Sequence, residues 1–250
     1  MFLKKNNINK ESFVSDIVRN DYRTASVFRK HDIDFCCGGK WALGTMCEMK
    51  GIDPDLLRKE LEESVRNVQL SNSIQFNNWD IDFLIEYIVN VHHHYLRKAL
   101  PEIKVHLTHF ITDHAEKYPY LNDVLKQFNY LTKDLLPHLQ QEEEIIFPYI
   151  RQISHAYESK ESYASLLVRT LRKPVEQVMN HEHETVSTAL RRLRDLTNNY
   201  VVPVDACVSH RVAFSLLEEL DNDIAQHIYL ENHILFPKAM AMEKELLKYS

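Results

Sequence analysis

Two segments of the chain carry the same chemically capable side chains at the same spacing. HLQQEEEIIFP (138–148) and HIYLENHILFP (227–237) share the pattern H-x-x-x-E-x-x-I-[IL]-F-P at an offset of 89 residues. Residues four apart lie on one face of an α-helix, so each segment presents an imidazole and a carboxylate together. Both pairs continue apolar stripes and therefore point into a core, where such groups must be paired or bind a metal. The pairs are His138 with Glu142 and His227 with Glu231.

The same offset predicts a histidine on each of two further helices. In the HHH run of the first helix, His93 continues an apolar row, whereas His94 lies on a polar face. His92 stays an alternative, because isoleucines share its face. On the third helix His183 lies in the apolar row and His181 on a more polar side. His93 and His183 are 90 residues apart, close to the repeat.

Together these side chains predict a site for two metal ions. Six protein ligands are too many for a catalytic zinc site, which uses three and a water. Two ions bridged by the two carboxylates, each with two imidazoles, would use every ligand and leave an open position. Imidazoles and carboxylates without thiolate favour iron, with manganese as the alternative. Occupancy should fall in acid, because binding needs neutral imidazoles. The predicted ligands are His93, His138, Glu142, His183, His227 and Glu231.

Long helices must position these residues. All four glycines lie between residues 38 and 51, so the remaining 199 residues lack the residue that tight hairpin turns need. Polar and proline-containing breaks divide this region into four segments with short loops, the pattern of an all-α antiparallel four-helix bundle. The predicted helices span about 80–114, 120–153, 164–198 and 206–246.

The first part of the chain differs in pattern. Short helices are predicted there, one of them with Asp53 as its N-cap and Pro54 at its first position. The division predicted is a small helical N-terminal domain over 1–72, which contains the CCGG turn, and the four-helix bundle over 73–250.

The vicinal thiols of Cys36 and Cys37 are candidates for a redox or thiolate role. The glycines that follow permit a tight turn, and a helix starting near Trp41 would lower a thiol pKa. Packing as small apolar groups is the competing interpretation. Cys47 and Cys207 have the wrong spacing for a zinc site and no partner histidines in the sequence pattern.

Composition excludes several classes of function. The net charge of −6 argues against nucleic-acid binding. No apolar stretch has the length of a signal peptide or a membrane span, and four cysteines do not form a disulfide framework. These features predict a cytoplasmic protein with free thiols.

Other residues near the motifs are expected to have structural or supporting roles and not to bind the metal. Glu143, Glu144 and Asp221 are expected on solvated faces. Glu182, next to His183, is a candidate for contacting a metal ligand from outside the site or for lining a channel to it. The IIFP and ILFP ends of the repeats are expected to pack in the core before a proline kink.

The H-x-x-x-E motifs resemble those of hemerythrin-like proteins, whose four-helix bundles hold a di-iron centre. Oxygen-carrying hemerythrins have a further histidine where this chain has Ser187, and an aspartate as the last carboxylate where it has Glu231. These departures argue against a reversible oxygen carrier.

A closer resemblance covers nearly the whole chain. SVFRKHDIDFCCGGK, HETVSTAL, LTNNY and HIYLENHILFP are similar to segments of the RIC family, the iron–sulfur cluster repair proteins. The resemblance implies a cytoplasmic, homodimeric protein with two iron ions on the six positions above, and both glutamates as bridges. The alignment through ALPE (99–102) favours His93 over His92.

The function implied is repair of clusters damaged by nitric oxide or oxidants, by donating iron or by handling nitric oxide. Damaged iron–sulfur proteins or the cluster-assembly machinery would be the partners, with nitric oxide or oxygen as the small ligand. A sensor of these gases and a reductase of nitric oxide or peroxide are the alternatives. No acid or base of a turnover reaction is assignable from sequence.

Overall fold

The computed structural model describes residues 8–21, 23–33, 35, 41–65, 75–160, 166, 168–169 and 175–248, without the side chains of 29 and 175–181. Cys36, Cys37 and the expected start of the third bundle helix near residue 164 lie outside these residues.

Four long helices form the bundle, which confirms the predicted all-α class. The first covers 81–114, the second 121–158, the third Val175–Thr197 and the fourth 208–248. Asp80 caps the first helix, accepting a hydrogen bond from the amide of Phe83. The second helix runs five residues beyond its predicted end, and the chain leaves it at Lys160, whose φ is 50°.

Three of the four helices contain a π-helical segment at the level of the repeat motifs. They are Ile88–His93, Glu142–Ile146 and Glu231–Leu235. A π segment inserts one residue into the helical ladder and shifts the face presented by the residues around it. No residue type in the sequence indicates such an insertion, so the sequence analysis did not predict these three segments.

Two apolar clusters fill the bundle, one on each side of a polar layer. One contains Leu96, Leu139, Val186 and Ile224, and the other contains Ile88, Ile146 and Leu230. His93 lies between Ile88 and Leu96 on the first helix. Glu142 lies between Leu139 and Ile146 on the second, and His227 between Ile224 and Leu230 on the fourth. The polar layer is therefore closed off from water at both ends.

The N-terminal segment forms four short helices: α1 (Val14–Asn20), α2 (Thr24–Lys30), α3 (Leu43–Lys50) and α4 (Pro54–Ser64). Asp53 caps α4 as predicted, accepting a hydrogen bond from the amide of Asp55 at 2.8 Å. Their shared core includes Val208 and Val212, so this unit packs against the start of the fourth bundle helix. The domain boundaries at residues 72 and 73 stay a prediction.

Asp221 does not lie on a solvated face, contrary to the sequence-based expectation. Its side chain is buried and receives two hydrogen bonds from the guanidinium of Arg194, at 2.5 and 2.6 Å. The hydroxyl of Tyr200 donates a third at 2.8 Å. The network joins the third helix, the following turn and the fourth helix.

Among the described residues, no helix combines the length and the apolar composition that a membrane crossing requires.

The far end of the bundle encloses His210 among aromatic rings. Its side chain is fully buried, with ring centroids of Phe110, Tyr118 and Phe214 at 4.7, 5.1 and 4.4 Å. The hydroxyl of Tyr120 lies 3.4 Å from Nε2.

Burial, aided by the positive charge of His114, lowers the pKa of His210 to about 4. Asp205 opposes this shift, and Arg211 and Lys117 add to it. The fold therefore holds this imidazole neutral.

A stability loss in acid follows. Above pH 6.5 His210 is neutral in both the folded and the unfolded state. Between pH 6.5 and about 4 it becomes protonated in the unfolded chain but stays neutral in the folded chain, so the free energy of unfolding falls as the pH is lowered. We expect His210→Phe to remove about 2 kcal/mol of this acid loss. Urea unfolding of the metal-free protein at pH 7 and pH 4.5 measures it. His109→Phe, at an exposed position, is the matched control. An equal acid loss in wild type and His210→Phe would contradict the expectation.

Candidate metal centre

The bundle brings all six predicted ligand residues together. They form two groups of four whose ligand atoms lie within 4.8 Å of one another, and both groups contain Glu142 and Glu231. Site A adds His93 and His227, and site B adds His138 and His183. Every one of the six side chains is buried, at most 4% exposed.

The imidazoles converge in pairs. In site A, the Nε2 atoms of His93 and His227 are 3.1 Å apart. In site B, those of His138 and His183 are 3.2 Å apart. Each helix contributes one ring, so the two pairs join the first helix to the fourth and the second to the third. Four Nε2 lone pairs therefore face one enclosed space.

The two carboxylates lie between the histidine pairs. Glu142 has one oxygen 3.3 Å from Nε2 of His93 in site A and the other 2.9 Å from Nε2 of His138 in site B. Glu231 has one oxygen 3.2 Å from His227 in site A and the other 3.2 Å from His183 in site B. Each glutamate can therefore serve both sites at once, as a bridge does.

The donor set fits metal ions. All four carboxylate oxygens of Glu142 and Glu231 are buried without a hydrogen bond of good geometry. Leaving such groups unsatisfied is costly, and a bound cation would satisfy them. Four imidazoles and two carboxylates without thiolate suit divalent first-row metals such as iron.

The electrostatics of the ion-free centre show how strongly the two carboxylates act. Burial opposes protonation of His138 and His183, but the charges of the glutamates outweigh it and raise the pKa values to about 9 and about 10. Burial raises the pKa of Glu142, yet the neighbouring imidazoles, His138 first, hold it well below its usual range. The pKa of Glu231 is also lowered, against burial and the charge of Glu142, chiefly by His227. A cation thus replaces protons that the carboxylates otherwise attract.

Three of the four histidines make a side-chain hydrogen bond through Nδ1, the ring nitrogen that does not face the centre. The partners are Glu143 for His93 at 2.7 Å, Glu182 for His138 at 2.6 Å and Asn232 for His183 at 2.8 Å. Such partners fix the ring orientation and the tautomer of a metal ligand.

These partners revise two sequence-based interpretations. Glu143 was expected on a solvated face; it is half-buried and also accepts a hydrogen bond from Arg97. Asn232 was missed, although it follows Glu231 as Glu143 follows Glu142, so the repeat carried the signal. Glu144 is exposed, in agreement with its interpretation.

The phenylalanines of the repeats also reach the centre. Phe147 stacks on His93 with ring centroids 5.7 Å apart, and Phe236 stacks on His183 at 6.1 Å. Both are buried, so the expected core packing is present. Instead of a simple proline kink, however, the motif ends a π segment and places an aromatic wall against a ligand ring.

The HHH run is now resolved by geometry. His94 is exposed. His92 and His93 are both buried although they are adjacent, because the π segment Ile88–His93 widens the buried face. His92 belongs to neither ligand group; its Nδ1 lies 3.0 Å from a carboxylate oxygen of Asp223. The structure does not describe the side chain of His181.

The cysteines contribute no ligand among the described residues. Cys47 is buried in the N-terminal core. Cys207 lies 3.3 Å from Nε2 of His114, so the expectation that it has no partner histidine is wrong. One thiol and one imidazole remain far short of a four-ligand zinc site.

Two family models match the chain. The model described as "Hemerythrin HHE cation binding domain" matches residues 84–239, more than half of the chain, and a model described as "Domain of Unknown function (DUF542)" matches residues 10–65. The first match contains all six candidate ligands, and the second contains Cys36 and Cys37.

Curated relatives match over nearly the full length. The iron-sulfur cluster repair protein YtfE of Enterobacter sp. (strain 638) is 30% identical over 233 residues, covering 92% of this chain and 97% of the relative. The iron-sulfur cluster repair protein ScdA of Staphylococcus epidermidis is 28% identical, covering 92% and 99%. YtfE of Escherichia coli O81 is 31% identical, covering 88% and 93%.

Proposed function

The chain belongs to the family of iron–sulfur cluster repair proteins with a hemerythrin HHE domain, and we propose that it repairs damaged iron–sulfur clusters with iron held in sites A and B. One observation carries the proposal: two buried groups of four ligands share both of their carboxylates. This arrangement would hold two ions, with Glu142 and Glu231 available to both.

The roles of the residues follow from their positions. The four histidines would hold the ions through Nε2, and the two glutamates would contact both ions and balance their charge between the two apolar clusters. Bound iron supplies a redox-active ion that can exchange with a client or take nitric oxide or oxygen as a ligand. Glu143 and Glu182, which are both half-buried, keep the rings of His93 and His138 in place through Nδ1.

Donation of iron is the route we propose for repair. A damaged iron–sulfur protein or the assembly machinery would be the partner, and nitric oxide the small ligand that competes for the open position. We assign Cys36 and Cys37 an accessory thiol role, because sites A and B are complete without them. Cytoplasmic location and a homodimer stay predictions.

Reactivation of a damaged client tests the function. A hydratase whose exposed [4Fe–4S] cluster has lost iron to peroxide or nitric oxide is mixed with the chain loaded with ⁵⁷Fe, in the presence of a thiol reductant. The reductant supplies the electron that rebuilding the cluster from ferrous iron requires. We expect recovery of hydratase activity together with transfer of the label into the cluster. The double variant Cys36→Ser with Cys37→Ser should keep its iron and restore activity more slowly.

Free ferrous iron at the same total concentration and the metal-free chain are the controls. Recovery no faster than with free ferrous iron would overturn iron donation. Tight binding of nitric oxide without any recovery would point instead to the sensor, and multiple turnovers of nitric oxide with a physiological reductant to the reductase.

A further inference from the structure

One of the four ligand histidines lacks the partner that the other three have. Nδ1 of His227 is buried and makes no hydrogen bond to any residue that the structure describes. When its Nε2 binds a metal, Nδ1 must carry the proton and becomes a buried donor, which needs an acceptor.

A buried acceptor without a partner lies beside it. The ring centroid of His92 is 6.0 Å from that of His227, and Nε2 of His92 is buried without a hydrogen bond. Nδ1 of His92 lies 3.0 Å from the carboxylate of Asp223. An ionised carboxylate accepts hydrogen bonds and cannot donate one. The hydrogen of a neutral His92 is therefore on Nδ1, and its Nε2 has a free lone pair.

The internal repeat puts His92 in the matching position. Glu182 precedes His183 of site B and holds the other repeat histidine, His138. His92 precedes His93 of site A, 90 residues before Glu182. The two residues thus occupy equivalent places, one against each histidine of the H-x-x-x-E motifs.

From this pairing we propose that His92, oriented by Asp223, is the positioning residue of His227. The contact proposed is a hydrogen bond from Nδ1–H of His227 to Nε2 of His92, between two rings whose centroids are 6.0 Å apart. The chain Asp223–His92–His227 then fixes the tautomer and ring plane of one site A ligand. The inference rests on the proposed iron centre and deepens it, because it makes retention of iron in site A depend on a residue that does not touch the ion.

Tyr87 supports this placement. Its ring meets that of His92 edge to face, with centroids 5.6 Å apart. Packing of this kind holds the imidazole in the plane that Asp223 selects.

Iron release from the two-iron protein tests the proposal. Wild type, His92→Phe and His92→Gln are loaded with ⁵⁷Fe and mixed with a ferrous chelator, and release is followed by absorbance and Mössbauer spectroscopy. We expect His92→Phe to release one of its two ions about tenfold faster and the other at the wild-type rate. His92→Gln, whose amide oxygen can accept the bond from His227, should restore most of the retention.

Three further variants make the assignment specific. His94→Phe is the same change at an exposed neighbour and should behave as wild type. Glu182→Leu should accelerate release of the other ion, the one in site B. Asp223→Ala should reproduce the His92→Phe effect in weaker form, and it replaces that variant if His92→Phe fails to fold.

The outcomes separate the two proposals. The positioning role is overturned if His92→Phe releases both ions at the wild-type rate. It is also overturned if His92→Phe releases both ions equally faster than wild type and His92→Gln does not restore retention. A wild-type chain that holds fewer than two ions overturns the centre itself and the inference with it.

Discussion

Glu142→Leu is expected to eliminate the proposed two-iron centre. Both ligand groups contain this carboxylate, so a single substitution removes one of four ligands from site A and one from site B. Substituting an outer partner of a metal ligand costs about 10–100-fold in affinity, and losing a bridging ligand should cost more. Leucine has a similar volume and fills the space without a new buried charge, which limits the effect on folding.

Metal analysis with Mössbauer spectroscopy measures the result. The wild type should hold two ions with a magnetically coupled signal, and Glu142→Leu at most one ion without coupling. Glu231→Leu should behave in the same way, because Glu231 also serves both sites.

Glu144→Leu is the matched control. It makes the same change two residues along the same π segment, at an exposed position. It should keep both ions. A Glu142→Leu protein that retains a coupled pair of ions would contradict the bridging role, and loss of iron from the control would show that the segment responds to any substitution.

Arg194→Leu is expected to produce the largest loss of stability. Asp221 is buried, and without the guanidinium only the hydroxyl of Tyr200 would remain to its carboxylate. Removing one partner of a buried ion pair costs about 3–5 kcal/mol. Because the Arg194 side chain is 40% exposed, we expect the lower end, about 3 kcal/mol.

Urea unfolding of the metal-free protein measures the loss. Asp221→Leu with Arg194→Leu should cost less than the sum of the single variants, because the double variant leaves no unpaired buried charge. Arg191→Leu, at an exposed position of the same helix, is the control and should change stability by less than about 0.5 kcal/mol. Additive single effects in the double variant would contradict the coupling.

This network lies on the two helices that carry His183 and His227. Thr197 and Tyr200 close the turn after the third helix, where the amide of Tyr200 donates to the Thr197 hydroxyl at 3.0 Å. Asp221 lies six residues before His227 on the fourth helix. The network therefore fixes the third helix, which carries His183, against the helix that carries His227.

The candidate ligand positions could be predicted from the sequence because helical periodicity is local. An imidazole and a carboxylate four residues apart share a face in any α-helix, and a repeat of 89 residues transfers that argument from one half of the bundle to the other. The absence of glycine after residue 51 and the spacing of polar breaks predicted the helices. The candidate ligands come together in sites A and B when the apolar faces of the four helices pack against one another.

Other features depended on contacts between residues far apart in the chain. Asp221 looked solvated, because nothing near it in sequence indicates Arg194 as its partner. Glu143 looked solvated for the same reason, since His93 lies 50 residues earlier. Cys207 and His114 meet only because the first and fourth helices pack side by side.

The adjacent histidines show the division most clearly. Helical periodicity allows one of His92 and His93 to face the core fully, and the sequence analysis predicted His93, with His92 as the alternative. The tertiary structure buries both by inserting a residue in Ile88–His93, and it gives them different partners: His93 a carboxylate of the centre, and His92 Asp223. Sequence determined which side chains are available to a metal. Packing between helices decided which of them converge, because a π insertion has no local signature and its cost is offset only by contacts across the bundle.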